Sequence, residues 1–302
     1  MTATIHYPHS AFHYTTACFV YFPLTMKDPH ANPPTSLTAL ARSLWQHRDL
    51  ILQMTRREVV GRYRGSIMGL AWSFFNPILM LVVYTFVFSV VFKAKWGGGA
   101  DQSQTGFAIV LFVGMIVYGL FAEMVNRAPG LILANVNYVK KVVFPLEILP
   151  VVGLGAALFH FLISMGVLLA AILLINGSLA WTAVFFPLVI LPLLIATLGM
   201  AWFLASLGVF VRDVGQTVGI FTTVLMFVSP VFYPISALPE KFQIWLLLNP
   251  LTFVIEQSRA VMIFGKLPDW AGLGIYAGVS LAVAWAGYWW FQKTRKGFAD
   301  VL

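Results

Sequence analysis

The stretch from Ile148 to Val211, ILPVVGLGAALFHFLISMGVLLAAILLINGSLAWTAVFFPLVILPLLIATLGMAWFLASLGVFV, contains no Asp, Glu, Lys or Arg. About 20 apolar residues in helical form cross the roughly 30 Å hydrocarbon core of a bilayer. A run of this length therefore crosses twice, and Asn176-Gly177-Ser178 near its middle supplies the turn. Further uncharged runs lie at 65–92, 102–122, 214–239 and 270–292, each long enough for one span. The six predicted spans are 68–92, 107–124, 147–175, 181–210, 214–235 and 271–292, with Pro145 placed to start the helix of the third. With 60% of its 302 residues hydrophobic and 10% charged, the chain has too little polar surface to coat a water-soluble globule. The expected fold class is an all-α integral membrane protein.

An even number of spans puts both termini on one side. Fourteen of the nineteen Lys and Arg fall there: seven before the first span, three between 125 and 146, Arg212, and three in the tail 293–302. That bias marks the cytoplasm, so the net charge of +8 carries orientation rather than affinity for nucleic acid. The single cysteine, Cys18, has no partner for an internal disulfide. Residues 1–36 lack the layout of a secretory signal and read as a disordered extension, with Met26 an alternative start. The irregular spacing of His6, His9, His13 and His30 argues against a metal site.

Ser36 stands as a helix N-cap, and after it Leu37, Leu40, Leu44, Ile51 and Met54 recur near helical spacing with Arg42, Arg48 and Arg56 between them. Residues 37–66 thus read as an amphipathic segment at the lipid interface, the plainer alternative being a solvated helix packed on the protein. Arg56, Arg57, Arg62 and Arg64 concentrate charge just before the bilayer, for lipid headgroups or, on a bolder reading, a substrate phosphate.

Within the six-span region 67–292, residues 236–269 hold two apolar pieces, Phe242–Leu248 and Leu251–Phe264, each too short to cross. They predict a re-entrant helical hairpin on the outer face. Asn249-Pro250 suits an N-cap and first helical position, and Glu256 and Arg259 stand i,i+3 apart, spaced to pair. The first span is rich in rings, among them Trp72, Phe74, Phe75, Tyr84, Phe86, Phe88 and Phe92. Trp72 and Trp96 suit an interfacial belt, whereas the mid-span rings suit either helix interfaces or a carbohydrate path on which sugar CH faces stack. Gly97-Gly98-Gly99 marks 93–106 as an outer connector, and Arg212-Asp213 forms a tight turn whose charges are placed to neutralise each other. Few ionisable groups lie in the spans: Glu123, Glu147 and His160. With no carboxylate near it in sequence, His160 reads as an interhelical hydrogen-bonding residue, and no proton relay is visible.

No G-x-x-x-x-G-K-[ST] loop occurs; the sole Gly-Lys, Gly265-Lys266, is followed by Leu267. H-E-x-x-H and G-x-S-x-G are also missing, which removes support for hydrolase and metalloenzyme readings. An ion channel or secondary transporter would need a filter, a charge relay or internal repeats. A membrane glycosyltransferase would need an acidic cluster, whereas the eleven acidic residues are scattered.

Arg62-Tyr63-Arg64-Gly65-Ser66 followed by Gly69, Trp72 and Pro77 resembles the opening of the first span in permease subunits of bacterial polysaccharide ABC exporters, the Wzm-like branch of the type-2 class. Asn137-Tyr138-Val139-Lys140-Lys141 with Phe144-Pro145-Leu146-Glu147 is similar to their first cytoplasmic loop. Ser229-Pro230-Val231-Phe232-Tyr233-Pro234 with Asn249-Pro250-Leu251-Thr252, and the ending Lys296-Gly297-Phe298-Ala299-Asp300, extend the likeness over roughly 37–302. The resemblance implies a homodimer in the bacterial inner membrane, in contact with membrane lipids and joined to two copies of an ATPase subunit that holds ATP and magnesium. This chain would then bind no cofactor and carry no catalytic residue. The substrate implied is an undecaprenyl-type lipid-linked polysaccharide, O-antigen or capsule-like. Arg56, Arg57, Arg127, Asn137, Lys140 and Lys141 would couple to the ATPase, and Tyr84, Phe88, Phe232 and Tyr233 would line the sugar path. Teichoic acid, lipid and drug exporting permeases share the architecture and remain alternatives.

Overall fold

The computed structural model describes residues 35–91, 104–140 and 144–302, and the described chain is helical with no strand. The N-terminal extension as far as residue 34, the triglycine connector with Trp96, and Lys141 lie outside the described residues.

Ser36 caps α1 (Leu37–Gln46), its hydroxyl accepting from the Ala39 N–H at 3.3 Å. The helix breaks at His47 and resumes as α2 (Arg48–Arg62). Leu40 and Met54 are buried in one cluster with Phe144, Leu149 and Val152, so one apolar face of this segment packs on the protein. Trp45 and Leu52 stay exposed, at 72% and 70%.

Next comes a 3-10 turn, Gly69–Ala71, then α3 (Trp72–Tyr84), which continues as a π-helix over Thr85–Val91. The following elements are α4 (Gln104–Arg127), the short α5 (Val136–Lys140) and α6 (Ile148–Asn176). Pro145 sits in the turn ahead of α6, its carbonyl accepting from the Ile148 N–H at 3.0 Å. Gly177, at φ 73°, ends α6 in the left-handed conformation that glycine tolerates. A 3-10 turn, Trp181–Phe185, leads into α7 (Phe186–Phe210), and α8 (Val214–Val228) follows. Arg212 and Asp213 occupy the turn between them, but no ion pair joins them among the described residues. The chain ends with α9 (Glu240–Leu248), α10 (Pro250–Met262), α11 (Trp270–Thr294) and α12 (Phe298–Val301).

Five helical stretches among the described residues are long and apolar enough to cross a membrane: Gly69–Phe88, Gly106–Gly130, Ile148–Asn176, Trp181–Phe210 and Trp270–Val301. The remaining expected span, 214–235, is helical only as α8 and then breaks at Ser229-Pro230, where proline excludes continuation. Its 15 residues extend only about 22 Å.

At the centre lies α4, most of its apolar length buried, whereas the α3 stretch is largely uncovered. It touches α3, α6, α7, α8 and α10. A helix apolar on all sides suits that place. In contrast, α3 and α8 leave broad apolar faces open, including Phe74, Ile78 and Val82 on one and Ile220, Val224 and Phe227 on the other.

The longest interface joins α7 and α11, which run side by side from the Phe185–Trp270 ring pair (5.5 Å) to the Ser206–Thr294 hydrogen bond (2.6 Å). Glycines set its spacing, because a Cβ on Gly287 would lie 2.0 Å from the Gly199 carbonyl oxygen and one on Gly199 would lie 2.6 Å from the Ala284 Cα. Without the water-driven term between helices in lipid, such close packing carries the association. Gly287→Leu should lower the thermal unfolding midpoint of the detergent-solubilised protein by the equivalent of about 1–3 kcal/mol. Gly278→Leu, at a glycine with nothing within 4 Å, should leave the midpoint unchanged.

Candidate functional site

Helix α10 starts on Asn249, whose Oδ1 accepts from the Leu251 N–H at 3.0 Å while its Nδ2 donates to Ser229 Oγ at 2.8 Å. Pro250 takes the first helical position, where its missing N–H costs nothing. Two turns on, Glu256 and Arg259 meet at 2.8 Å. The Arg259 side chain has no exposed surface and donates to three backbone carbonyls as well: Val110 at 3.0 Å, Pro230 at 2.6 Å and Val231 at 2.8 Å. Pro230 and Val231 are buried just beyond the break in α8, where their carbonyls have no place in a helical ladder. A guanidinium, with five donors in a fixed fork, is the side chain that satisfies several such acceptors at once. Gly114 of α4 leaves it room, since a Cβ there would lie 2.6 Å from Arg259 Nη2.

Beside this clasp, the rings of Phe107, Phe88, Phe232 and Phe227 form a ladder with successive centroid distances of 5.7, 6.2 and 5.8 Å. The Phe88–Phe232 and Phe232–Phe227 pairs are stacked, tilted by only 22° and 27°. Phe88 projects from the π-helix, a wide-turned form common at functional sites. Tyr84, one turn earlier, packs on the same apolar group, and Tyr233 turns back to donate to the Phe227 carbonyl at 2.8 Å. Of the four sequence-expected path residues, the fold thus brings Tyr84, Phe88 and Phe232 together and holds Tyr233 against the end of α8.

Tyr84 also lines a cavity of about 500 Å³ between α3, α4 and α6, with Trp72, Phe112 and Phe161 as further aromatic walls. At its other end lies a polar group that the sequence pattern missed. Glu123 Oε1 is 2.7 Å from Arg62 Nη1 and 2.9 Å from His160 Nδ1, and Tyr63 Oη is 3.0 Å from His160 Nε2. In the neutral tautomer with its proton on Nδ1, the ring donates to the carboxylate and Nε2 accepts from the tyrosine; in the other, Nδ1 accepts from Arg62 Nη1, 3.0 Å away. The carboxylate absent near His160 in sequence comes from another helix. Arg62 and Tyr63 bring the end of the α2 segment into the same contact, tying it to two spans.

The expected coupling residues that are described, all but Lys141, gather at the same end of the molecule. Arg57 Nη2 donates to Tyr138 Oη at 3.1 Å, Arg127 pairs with Glu58 of α2, and Lys140 donates to the Leu302 backbone carbonyl. Arg56 and Asn137 are exposed, on α2 and α5. Nearby, Glu147 accepts from Ser43 Oγ at 3.0 Å and from Arg295 Nη1 at 2.8 Å, while its carbonyl accepts from Trp202 Nε1 at 3.0 Å. Among the described residues no group of three His, Cys, Asp or Glu is placed to hold a metal ion.

Arg259→Met should cost about 3 kcal/mol or more in detergent thermal unfolding, because buried carbonyls lose their donor at about 1–3 kcal/mol each. Glu256→Gln should cost less, since the amide oxygen can still accept from Arg259 and the guanidinium keeps its carbonyls, the remaining cost being that of a buried cation without its counter-charge.

The chain matches the ABC-2 type transporter family over residues 49–263. It is 31% identical over 265 residues to the O-antigen export system permease protein RfbA of Myxococcus xanthus, covering 87% of this chain and 99% of that one. A protein of the same name from Klebsiella pneumoniae is 26% identical over 257 residues, covering 84% and 95%. The polysialic acid transport protein KpsM of Escherichia coli is 24% identical over 243 residues, covering 76% and 88%. With a family match spanning most of its length and a relative aligned almost end to end, the chain belongs to the ABC-2 type transporter family.

Proposed function

We propose that the chain is the membrane permease of an ATP-driven exporter of lipid-linked polysaccharide, of O-antigen type, in the bacterial inner membrane. The observation that carries this reading is the alignment with O-antigen export permeases over 99% and 95% of their lengths. The site adds chemical support. Trp72, Tyr84, Arg62, Glu123 and His160 give one cavity both flat rings and hydrogen-bonding groups, the combination that sugar rings and their hydroxyls require.

In this reading six spans cross the bilayer, α8 being completed by the non-helical residues after Ser229, with both termini in the cytoplasm. Helices α1 and α2 lie at the inner interface, and α9 and α10 re-enter from the outside, each too short to cross. The open apolar faces of α3 and α8 support a homodimer, a second copy covering what one chain leaves bare. Two copies of an ATPase subunit, holding ATP and magnesium, dock on the cytoplasmic end beside Arg56, Arg57, Arg127, Asn137, Lys140 and Lys141. Movement of that surface reaches the cavity through α2, because Arg62 bonds Glu123 directly. An undecaprenyl-type carrier delivers the substrate, and Tyr84, Phe88, Phe232 and Tyr233 guide the sugar outward while Glu256 and Arg259 hold the outer hairpin.

Deleting the gene and restoring it on a plasmid tests the function. Lipid-linked polysaccharide should accumulate inside the deletion strain and vanish from its surface, and the plasmid should reverse both. Normal surface polysaccharide, with no second copy of the gene present, would refute the substrate in favour of lipid or drug export. Replacing Tyr84, Phe88, Phe232 and Tyr233 by Ala should slow export without releasing the ATPase subunit; unchanged export would remove them from the path.

A further inference from the structure

Helix α2 presents Arg48, Leu52, Arg56 and Val60 at four-residue spacing, which places them on one face. That stripe does not belong to the face buried against the protein. Leu52 is 70% exposed and Val60 47%. Opposite it, α6 carries Leu154, Leu158 and Leu162, again four apart, with Leu162 63% exposed. Between the two stripes runs an open groove of about 880 Å³ whose walls are apolar except for Thr55 and the two arginines. The helices pass close together at Thr55, where a Cβ on Gly155 would lie 2.9 Å from its side chain.

The arginines are available for an outside ligand. Arg48 rests over the Trp45 ring at 5.0 Å and reaches Asp49 only at 3.9 Å. No hydrogen bond or ion pair engages Arg56 among the described residues. An apolar slot that leads along a membrane helix and carries two guanidinium groups on its wall matches a ligand with an acyl chain and an anionic head. A zwitterionic head would bring its own cation against the arginines.

We propose that the groove between α2 and α6 binds one anionic glycerophospholipid, its phosphate held by Arg48 and Arg56 and an acyl chain laid along Leu154, Leu158 and Leu162. The lipid fills the space between α2 and α6, and so steadies the helix whose last turn reaches Glu123. The site lies outside the cavity read as the sugar path and does not depend on the export reading.

The test is native mass spectrometry of the full chain, purified in neutral detergent and given phosphatidylglycerol or phosphatidylcholine with the same acyl chains. The wild-type protein should retain one phosphatidylglycerol in preference to phosphatidylcholine. Loss of two interfacial charges in Arg48→Gln/Arg56→Gln should weaken that retention about 30-fold. Leu162→Trp, which adds bulk at an exposed groove position, should also remove it with both arginines in place. Equal retention of the two lipids, or undiminished phosphatidylglycerol on either variant, overturns the proposal. Displacement of phosphatidylglycerol by an equimolar polyprenyl phosphate also overturns it, giving the groove to the substrate's lipid tail.

Discussion

A guanidinium without exposed surface, that of Arg259, joins α10 to α4 and to the broken end of α8. Backbone that leaves the helical ladder inside an apolar environment has no water to satisfy it, and each orphaned carbonyl costs free energy. The chain breaks there because Pro230 forbids continuation, and the break is tolerable because Arg259 reaches it. The other features of that end follow from this contact. Gly114 lacks a side chain where the guanidinium lies, Asn249 ties its own cap to Ser229, and Glu256 balances the charge. A broken, clasped segment in place of a last helical turn also sets Phe232 against Phe88.

Two polar centres thus bracket an aromatic stretch. At one end the Arg62–Glu123–His160–Tyr63 group couples the α2 segment to α4 and α6; at the other, Arg259 holds the hairpin to α4. Both rest on α4, the most buried of the five long apolar stretches, while α3, which carries Tyr84 and leads into the π-helix of Phe88, is the most loosely covered of them. A buried centre and bare flanks support the proposed homodimer, in which a second copy would cover the flanks.

Features with a local cause were legible in the sequence. Ser36 and Asn249 cap the helices they precede, Gly177 ends α6, and the i,i+3 spacing of Glu256 and Arg259 gives their contact. Length and apolarity placed the long helices within a few residues. What escaped depends on contacts between distant segments. Glu123 and His160 are 37 positions apart, and Arg62 and His160 are 98, so nothing in a window around the histidine announces its carboxylate. The Val110 carbonyl lies 149 positions from Arg259. Periodicity predicted an amphipathic segment over 37–66, where the structure has α1 and α2, but the same pattern serves lipid and protein alike. Here one stripe, including Leu40 and Met54, is buried in the protein while Leu52 stays bare.

Polysaccharide is proposed to pass along the rings beside the Arg259 clasp. A photoreactive phenylalanine analogue placed at position 88 or 232 of the chain in exporting cells tests it directly, with position 174, where Leu174 is 87% exposed on α6, as the lipid-facing control. Irradiation should attach polysaccharide to the chain at 88 and 232 and not at 174. Attachment at 174 equal to that at the ring positions, or at none of the three during active export, would contradict the account.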